Sequence, residues 1–454
     1  MHKLSLAIIY RRAGIRAGSV ISRIRVIHNE ERGYFKANYF EACDLFGSYK
    51  SLEKNTSPDF LFWKSSQPSA DNTMKIEVIS TIQGFFSLAD QWNSLLKKSS
   101  TDRVYLTHEW FHCWWNAFGN DKRPLILLIK EKEQVMGIAP LLVAAVNYRN
   151  ILKIKEVSFW GNEVTPHIDV ICYPGSEQMV IEAIIEYLFK NTVEWDVFKL
   201  AKISDNSRTY DILSKILNTR HVTFKIDKSV QSPFLNINTD WETYYTTRTT
   251  KFRKGMRNKI NRINKQGTCQ VEKISDPRKL AEMLPVIYKI SNRSWKQQVN
   301  ACIHSDKKQA VFYRELTEIG GEKGWINLWL LKFNGEYIAF EYHLEYGGII
   351  HVLRGDYDET FKKISPGSCL EFYIIKHHFE QLKKIEYDFC GDNYQYMLNW
   401  TDDVRDHISL RMFNKKLVSR TVSIIDCMLI PYLRKTKKRR HAISPLEVEE
   451  KADN

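Results

Sequence analysis

Three stretches of this sequence combine residue types that could do chemistry. Ser365-Pro366-Gly367 reads as a helix start. Serine would cap it, proline would occupy the first helical position where its missing N–H costs nothing, and glycine would admit a ligand to the backbone. The outward amides of such a helix end attract anions, and Lys362, Lys363 and Ser368 stand where a pyrophosphate could lie. Over 337–346, strand alternation sets Glu341, His343 and Glu345 on one face, opposite Phe340, Tyr342 and Leu344. That face carries groups able to take or give a proton. The third stretch, His108-Glu109-Trp110-Phe111-His112, spells the H-E-x-x-H string that on a helix brings two imidazoles to zinc with glutamate as base. Its context points to packing: no further histidine follows at the metzincin spacing, and the flanks are Trp, Phe and Cys. A structural or cleft-lining helix is expected there, and no metal.

These residues need elements to hold them. From 74 to 237 strands and helices alternate: a strand at 77–79, helices at 85–97 and 107–118, and paired strands at 125–130 and 134–146. A helix at 177–190, a strand at 197–202, a helix at 209–217 and a strand at 233–237 follow. A second cycle begins with Asp240 as N-cap of a helix through Arg262, then a strand at 269–274 and a helix at 277–296. Strands at 326–333 and 337–346 are joined by Asn334-Gly335, a strong hairpin turn, and are followed by a strand at 349–355. A helix at 366–381 and a strand at 385–389 complete the cycle.

An ordered set of blocks resembles the CelD-type acetyltransferases of the GNAT superfamily, associated with cellulose and exopolysaccharide synthesis. It comprises Trp295, the hairpin at 328–340, Arg354-Gly355-Asp356-Tyr357-Asp358, Ser365-Pro366-Gly367 and Asp388-Phe389-Cys390-Gly391-Asp392. Leu106-Thr107-His108-Glu109-Trp110, Trp114-Trp115-Asn116-Ala117-Phe118-Gly119 and Gly137-Ile138-Ala139-Pro140-Leu141 are similar to that family's N-terminal half. The likeness runs over 74–412. One departure stands out: where the family often has Tyr-Lys-x-x-Trp, this chain has Tyr396-Met397-Leu398-Asn399-Trp400, so no cation occupies the second position.

The resemblance implies an α/β (α+β) fold of two tandem GNAT-like acyltransferase domains, mixed central sheets flanked by helices. The expected limits are an extension at 1–73, an N-terminal domain at 74–238, a catalytic domain at 239–415, and an apolar helix with a basic tail at 416–454. It also implies an acyl donor, acetyl-CoA or another acyl-CoA, or an acyl carrier protein. Direct attack by a hydroxyl or amine needs a base, an oxyanion stabiliser and a donor held in register. The pantetheine is expected along 338–342 and 350–354, with Ala339, Phe340, Leu353 and Arg354 as walls and Lys362, Lys363, Ser365, Gly367 and Ser368 at the phosphates. Glu341, His343 and Asp356 are the base candidates, and Asp388 and Tyr396 are the groups to orient the acceptor or donate a proton. Trp295 and Trp400 are expected at the substrate. Cys390 is read as a small buried residue at a strand end.

Composition narrows the partners. Lys plus Arg (67) exceed Asp plus Glu (53), so anionic partners are favoured. The helix bearing Arg248, Lys251, Arg253, Lys254, Arg257, Lys259, Arg262 and Lys265 is basic on several faces. It lacks interleaved stacking aromatics from Lys254 onward, which favours support of the donor or an anionic glycan over nucleic acid. Eight cysteines without a C-x-x-C pair fit a reducing cytoplasm. Residues 1–29 are basic and acid-free, and 58–73 resemble a linker, so order is expected to begin at Met74. The apolar stretch 417–433 followed by Arg434 to Arg440 resembles an interfacial anchor, placing a peripheral membrane contact in 417–440 at the inner membrane face. A glycan or lipid-linked envelope precursor is the expected acceptor. Three rival readings stand: an aminoacyl-tRNA-dependent transferase related to the peptidoglycan bridge enzymes, a non-catalytic glycan- or partner-binding protein on the same fold, and a zinc hydrolase through His108 and His112.

Overall fold

The computed structural model describes residues 74–299, 301–303, 307–381, 383–434 and 436. The expectation for 1–73 and the basic residues 437–440 lie outside them. Apart from 149–151, the described residues belong to one compact unit.

The order of elements repeats. β1 (Met74–Ile79) leads through α1 (Ile82–Phe86), α2 (Ala89–Leu96) and α3 (His108–Phe118) to β2 (Lys122–Glu131), β3 (Gln134–Tyr148) and β4 (Leu152–Phe159). The two-residue β5 (Ile171–Cys172), α4 (Glu177–Lys190), β6 (Val197–Ser204), α5 (Arg208–Thr219) and β7 (Phe224–Ile237) follow. After α6 (Trp241–Thr247) and α7 (Thr250–Gln266), the succession returns as β8 (Cys269–Ile274), α8 (Pro277–Asn292), α9 (Lys307–Glu322), β9 (Ile326–Phe333), β10 (Glu336–Tyr346) and β11 (Ile349–Tyr357). It ends with α10 (Pro366–Glu380), β12 (Ile385–Asp388), the single turn α11 (Gln395–Leu398), β13 (Val404–Phe413) and α12 (Leu417–Ile424).

Pairing repeats too. β1 to β4 form an antiparallel meander and β6 then joins β4 in parallel. β8 to β11 form the same meander and β12 joins β11 in parallel. A parallel neighbour needs a crossover, which α4 and α10 supply. The last strand of each repeat is exchanged: β13 pairs with β6, β7 pairs with β12, and β7 and β13 pair with each other. One sheet therefore runs β1-β2-β3-β4-β6-β13-β7-β12-β11-β10-β9-β8, with β5 beside β3. Pro233 sits where β7 changes neighbour from β13 to β12, a place where a missing N–H is tolerated.

In the second repeat the sheet is covered on both faces, so β9 is buried at every position but Lys332. Phe340, Tyr342 and Leu344 pack with α8 and α9, while Trp329, Leu331, Ile338 and Ile350 pack with α10. α3 and α9 meet through Trp110 and Phe312, with ring centroids 5.1 Å apart.

The hairpin, the second-cycle strands and the helix at 366 lie where the sequence puts them. The helix expected from Asp240 through Arg262 is two helices, because the chain extends at Arg248 (ψ 151°) and Thr249 caps a new start. β4, β13 and α9 have no counterpart in the sequence reading. In α9 the pair Gly320-Gly321 hides the helical pattern. A side chain at Gly320 would come within 3.0 Å of Ile326, so the glycine there serves close packing onto β9.

Candidate functional site

The β11–β12 ladder ends early. It runs from Ile349 to His351 against Glu386 to Asp388, after which β11 continues to Tyr357 paired only with β10 among the described residues. The edge opened there leads through a 3-10 turn, Glu359–Ile364, directly to the N-terminus of α10. In the first repeat the equivalent space is used differently. β4 stops at Phe159, the chain leaves the sheet, and β5 returns beside β3 before α4 begins. α4 also carries Glu177 in its first turn, where a bound phosphate would be repelled, while the first turn of α10 has no acid. Of the two repeats, the second combines an open strand edge with an acid-free helix start.

The turn itself differs from its expected form in two ways. Ser365 is left-handed (φ 56°) and its side chain makes no capping bond, so the cap comes from backbone geometry and Pro366 rather than the hydroxyl. Gly367 is needed for packing: a Cβ there would stand 3.1 Å from the Tyr357 ring. α7 lies alongside. Lys259 Nζ donates to Ser368 Oγ at 2.9 Å, and Arg262 donates to the Lys363 carbonyl at 2.8 Å. Lys259 and Arg262 thus join Lys363 and the outward-facing Lys362 around one helix end. The basic helix and the turn, separate in sequence, form one cationic surface.

Glu341 and His343 project from β10 on the α10 side. A β-bulge lies beside them, with Leu353 of β11 as the extra residue between Val352 (paired with His343) and Arg354 (paired with Tyr342). Bulges re-aim side chains and are frequent at active sites. Glu341 Oε2 lies 2.8 Å from His343 Nε2 and 3.4 Å from the Tyr387 hydroxyl. Burial pushes the Glu341 carboxyl up to about 8 and the His343 imidazole down to about 3, so the pair shares a proton that the carboxyl holds. A second buried carboxyl, Glu371 of α10, accepts from Trp400 Nε1 at 2.8 Å. Burial and then the proximity of Glu341 hold Glu371 well above the ordinary range. Two neighbouring carboxyls that cannot both ionise are a proton store. Gly355 of β11 faces Glu341, with room for a side chain closed to 3.2 Å.

Tyr396 lies half-exposed, stacked with Tyr394 at 6.0 Å. Its phenol is raised by burial and then by the fields of Glu371, Glu341, Tyr394 and Asp356. Trp400, expected at the substrate, is fully buried and serves instead as the donor that fixes Glu371. Trp295 is exposed on a 3-10 turn, Trp295–Val299. Ala339 faces α10 and Phe340 faces α8, both wholly buried.

Asp356 separates from the other base candidates. Alternation puts it with Arg354 on the opposite face, where Lys296 Nζ lies 2.5 Å and Arg354 Nε 2.8 Å from its carboxyl. Arg354 also donates to Ser291 Oγ at 3.2 Å and to the Ala301 carbonyl at 2.7 Å. Asp356 is thereby a clamped counter-ion.

Asp388 forms a third cluster, at the junction of β11, β12, β7 and β13. Its carboxyl receives Ser232 at 3.2 Å, the Cys390 amide at 2.8 Å, His167 Nε2 at 3.0 Å and Arg405 at 3.4 Å, with His351 Nδ1 at 3.9 Å. Burial alone would raise this carboxyl, but His167, His351 and the Cys390 amide outweigh it and hold it well below the usual range. His167 stacks on His407 at 4.2 Å, and both line a cleft of about 360 Å³ with Arg103, Lys202, Arg208 and Arg405. Asp388 is therefore the ionised centre of a histidine-rich wall. Ligand atoms of His351, Asp388 and Cys390 fall within 4.8 Å of one another. Arg405 supplies the countercharge there, and the Cys390 thiol, raised strongly by burial, is bonded to the Tyr105 hydroxyl at 2.9 Å.

His351, His167, His407 and Glu371 were not singled out from the sequence. Glu371 carried a signal, being a lone acid in the apolar helical run Cys369-Leu370-Glu371-Phe372-Tyr373-Ile374-Ile375. The histidines carried none, because their neighbours come from distant segments. In the H-E-x-x-H string, His108 Nε2 is spent on the Phe85 carbonyl at 2.9 Å and its ring stacks on Phe85 at 4.1 Å, while Glu109 pairs with Lys323 at 2.8 Å. His108 and Glu109 are thus engaged in packing and pairing, and the His112 ring lies against Phe86 at 4.8 Å.

Residues 250–397 match the family described as acetyltransferase (GNAT) domain. No curated protein sequence matches the chain. Among solved structures, FemX is similar at 10% identity and a TM-score of 0.51, over 77% of this chain and all of that one. A protein of unknown function from Bacteroides thetaiotaomicron VPI-5482 is similar at 13% identity and a TM-score of 0.48, over 75% of this chain and 100% of that one. A tandem GNAT protein from the clavulanic acid biosynthesis pathway is similar at 8% identity and a TM-score of 0.41, over 74% and 98% of the two chains.

Proposed function

We propose that this chain, which carries a GNAT acetyltransferase domain on a mixed α/β fold, transfers an acyl group from acyl-CoA to a hydroxyl or amine of a cell-envelope or exopolysaccharide precursor. The observation that carries the reading is the early end of the β11–β12 ladder at His351 and Asp388, leading straight to a helix end ringed by Lys259, Arg262 and Lys363. The pantetheine would lie along the open edge of β11 and its phosphates on the α10 turn, with no metal involved. Glu341, in its ionised form, would accept the acceptor's proton, its affinity for protons held high by burial. Tyr396 would protonate the leaving thiolate. The cleft walled by His167, His407 and Arg405 is the proposed entrance for a polyhydroxylated or anionic acceptor. A tandem of domains divided near residue 239, the second catalytic, fits the repeat, and we place the enzyme in the cytoplasm, working on a lipid-linked precursor.

A second reading has its own support. Lys251, Lys254, Arg257, Arg262 and Lys265 of α7 are exposed, a charge density suited to a donor carried on RNA. Radiolabelled acetyl-CoA and radiolabelled aminoacyl-tRNA, each incubated with the protein and a lipid-linked glycan fraction, distinguish the two. Transfer from acetyl-CoA, with Tyr396→Phe lowering kcat by about 100-fold at unchanged KM, is expected. Transfer from the tRNA alone would replace the first reading by the second.

A further inference from the structure

The C-terminal helix has an outer face that nothing in the described residues covers. α12 continues through a π-helical turn, Ile425–Leu429, and helical residues to 434. Its inner face is anchored. Asp426 is buried, accepts from the Tyr148 hydroxyl at 2.6 Å, and pairs with Arg411, which also holds Asp227 at 2.7 Å. The acid that would spoil an apolar surface is thus turned inward and neutralised. The outer face carries Leu417 (65% exposed), Val418, Ile424, Met428 (58% exposed), Tyr432 and Leu433. Leu417, Ile424, Met428 and Tyr432 recur at steps of seven, four and four, which puts them on one helical stripe. Large apolar side chains on a soluble surface are ordinarily scattered, and their concentration on one stripe marks a contact.

The sequence that follows fixes the kind of partner. Arg434, Lys435, Lys437, Lys438, Arg439 and Arg440 come directly after the stripe, and no Asp or Glu intervenes between Asp426 and Glu447. We propose that residues 417–440 dock on an anionic lipid surface, the stripe entering the headgroup–acyl boundary and the cations lying among the headgroups. An apolar stripe and a polybasic run are the two signals that peripheral attachment requires. No described helix is long and apolar enough to cross a membrane, so the contact lies in the interface plane. This docking stands apart from the acyl-transfer reading, since it can be measured without turnover.

The test is co-sedimentation of the full chain with phosphatidylcholine vesicles, with and without phosphatidylglycerol. Binding to the anionic vesicles alone is expected, weakening as salt rises. Replacing Lys435, Lys437 and Lys438 by Gln should weaken it on the order of 100-fold. Met428→Glu should weaken it by at least about 10-fold while leaving the near-UV circular dichroism unchanged, because the side chain faces outward. Absence of binding to anionic vesicles would overturn the proposal. So would equal binding by Met428→Glu, which would assign attachment to another segment such as residues 1–73. A wild-type dimer that Met428→Glu converts to a lipid-indifferent monomer would assign the stripe to a second copy and overturn it as well.

Discussion

Glu341→Gln should lower kcat by about 1000-fold with little change in donor affinity, because the amide keeps the shape of the pocket but cannot take a proton. The pH dependence identifies the group. With its carboxyl pushed up to about 8, the wild-type rate should climb as pH rises through that value, and the limb should vanish in the variant. Stability should run the other way. A carboxyl raised in the fold binds its proton more tightly there than in the unfolded chain, so its contribution is fully present below about pH 4.5 and is lost as pH rises through about 8. Denaturation midpoints measured across that window should fall for the wild type and fall less steeply for Glu341→Gln, where Glu371 is the raised carboxyl that remains, a difference on the order of a few kcal/mol. A rate limb near 8 that survives in the variant would remove Glu341 from the role of base.

Asp388→Ala should be the most damaging single change to stability, costing about 3–5 kcal/mol. It removes the acceptor of Ser232, the Cys390 amide and His167, and leaves Arg405 to Glu386, held at 3.1 and 3.2 Å, and the Phe234 ring. The loss would be felt where the exchanged strands β7 and β13 join the two repeats, so unfolding should remain a single transition at a lower midpoint. Here the pH sign is opposite to that of Glu341. A depressed carboxyl stabilises above its unfolded value, about 3.8, and loses that contribution as pH falls below it. Asp388→Asn should therefore be less stable than the wild type at neutral pH, with the gap narrowing in acid. An equal gap at pH 3 and pH 7 would contradict the ionised assignment.

The contrast between these two acids marks what sequence can reach. Glu341 and His343 could be paired from strand alternation because their relation is local, two residues apart on one face. The same rule sends Asp356 to the other face, yet its clamp by Lys296 depends on a turn sixty residues earlier that alternation does not reveal. Asp388 could be named as polar at a strand end, but its partners His167, Ser232 and Arg405 lie in three separate segments gathered by strand exchange. That exchange left no local mark, and Pro233 read as the start of a strand when it sits at the change of neighbours within one. Trp400 shows the converse. The family resemblance implies a substrate contact for it, whereas it is buried and donates a hydrogen bond to Glu371. The α10 turn was recognisable from Ser365-Pro366-Gly367, although the hydroxyl does not cap and the glycine accommodates Tyr357. What gathers further cations there, Lys259 and Arg262 of α7, is a contact between elements about a hundred residues apart.

The donor seat is the centre of the functional reading, and calorimetric titration with acetyl-CoA tests it directly. The wild type should bind one equivalent, and the double variant Lys259→Glu, Arg262→Glu should bind on the order of 100-fold more weakly, since each charge-assisted contact to a phosphate contributes over 1 kcal/mol. A wild type that gives no heat, or a double variant that binds as tightly as the wild type, would contradict a phosphate site at the α10 turn.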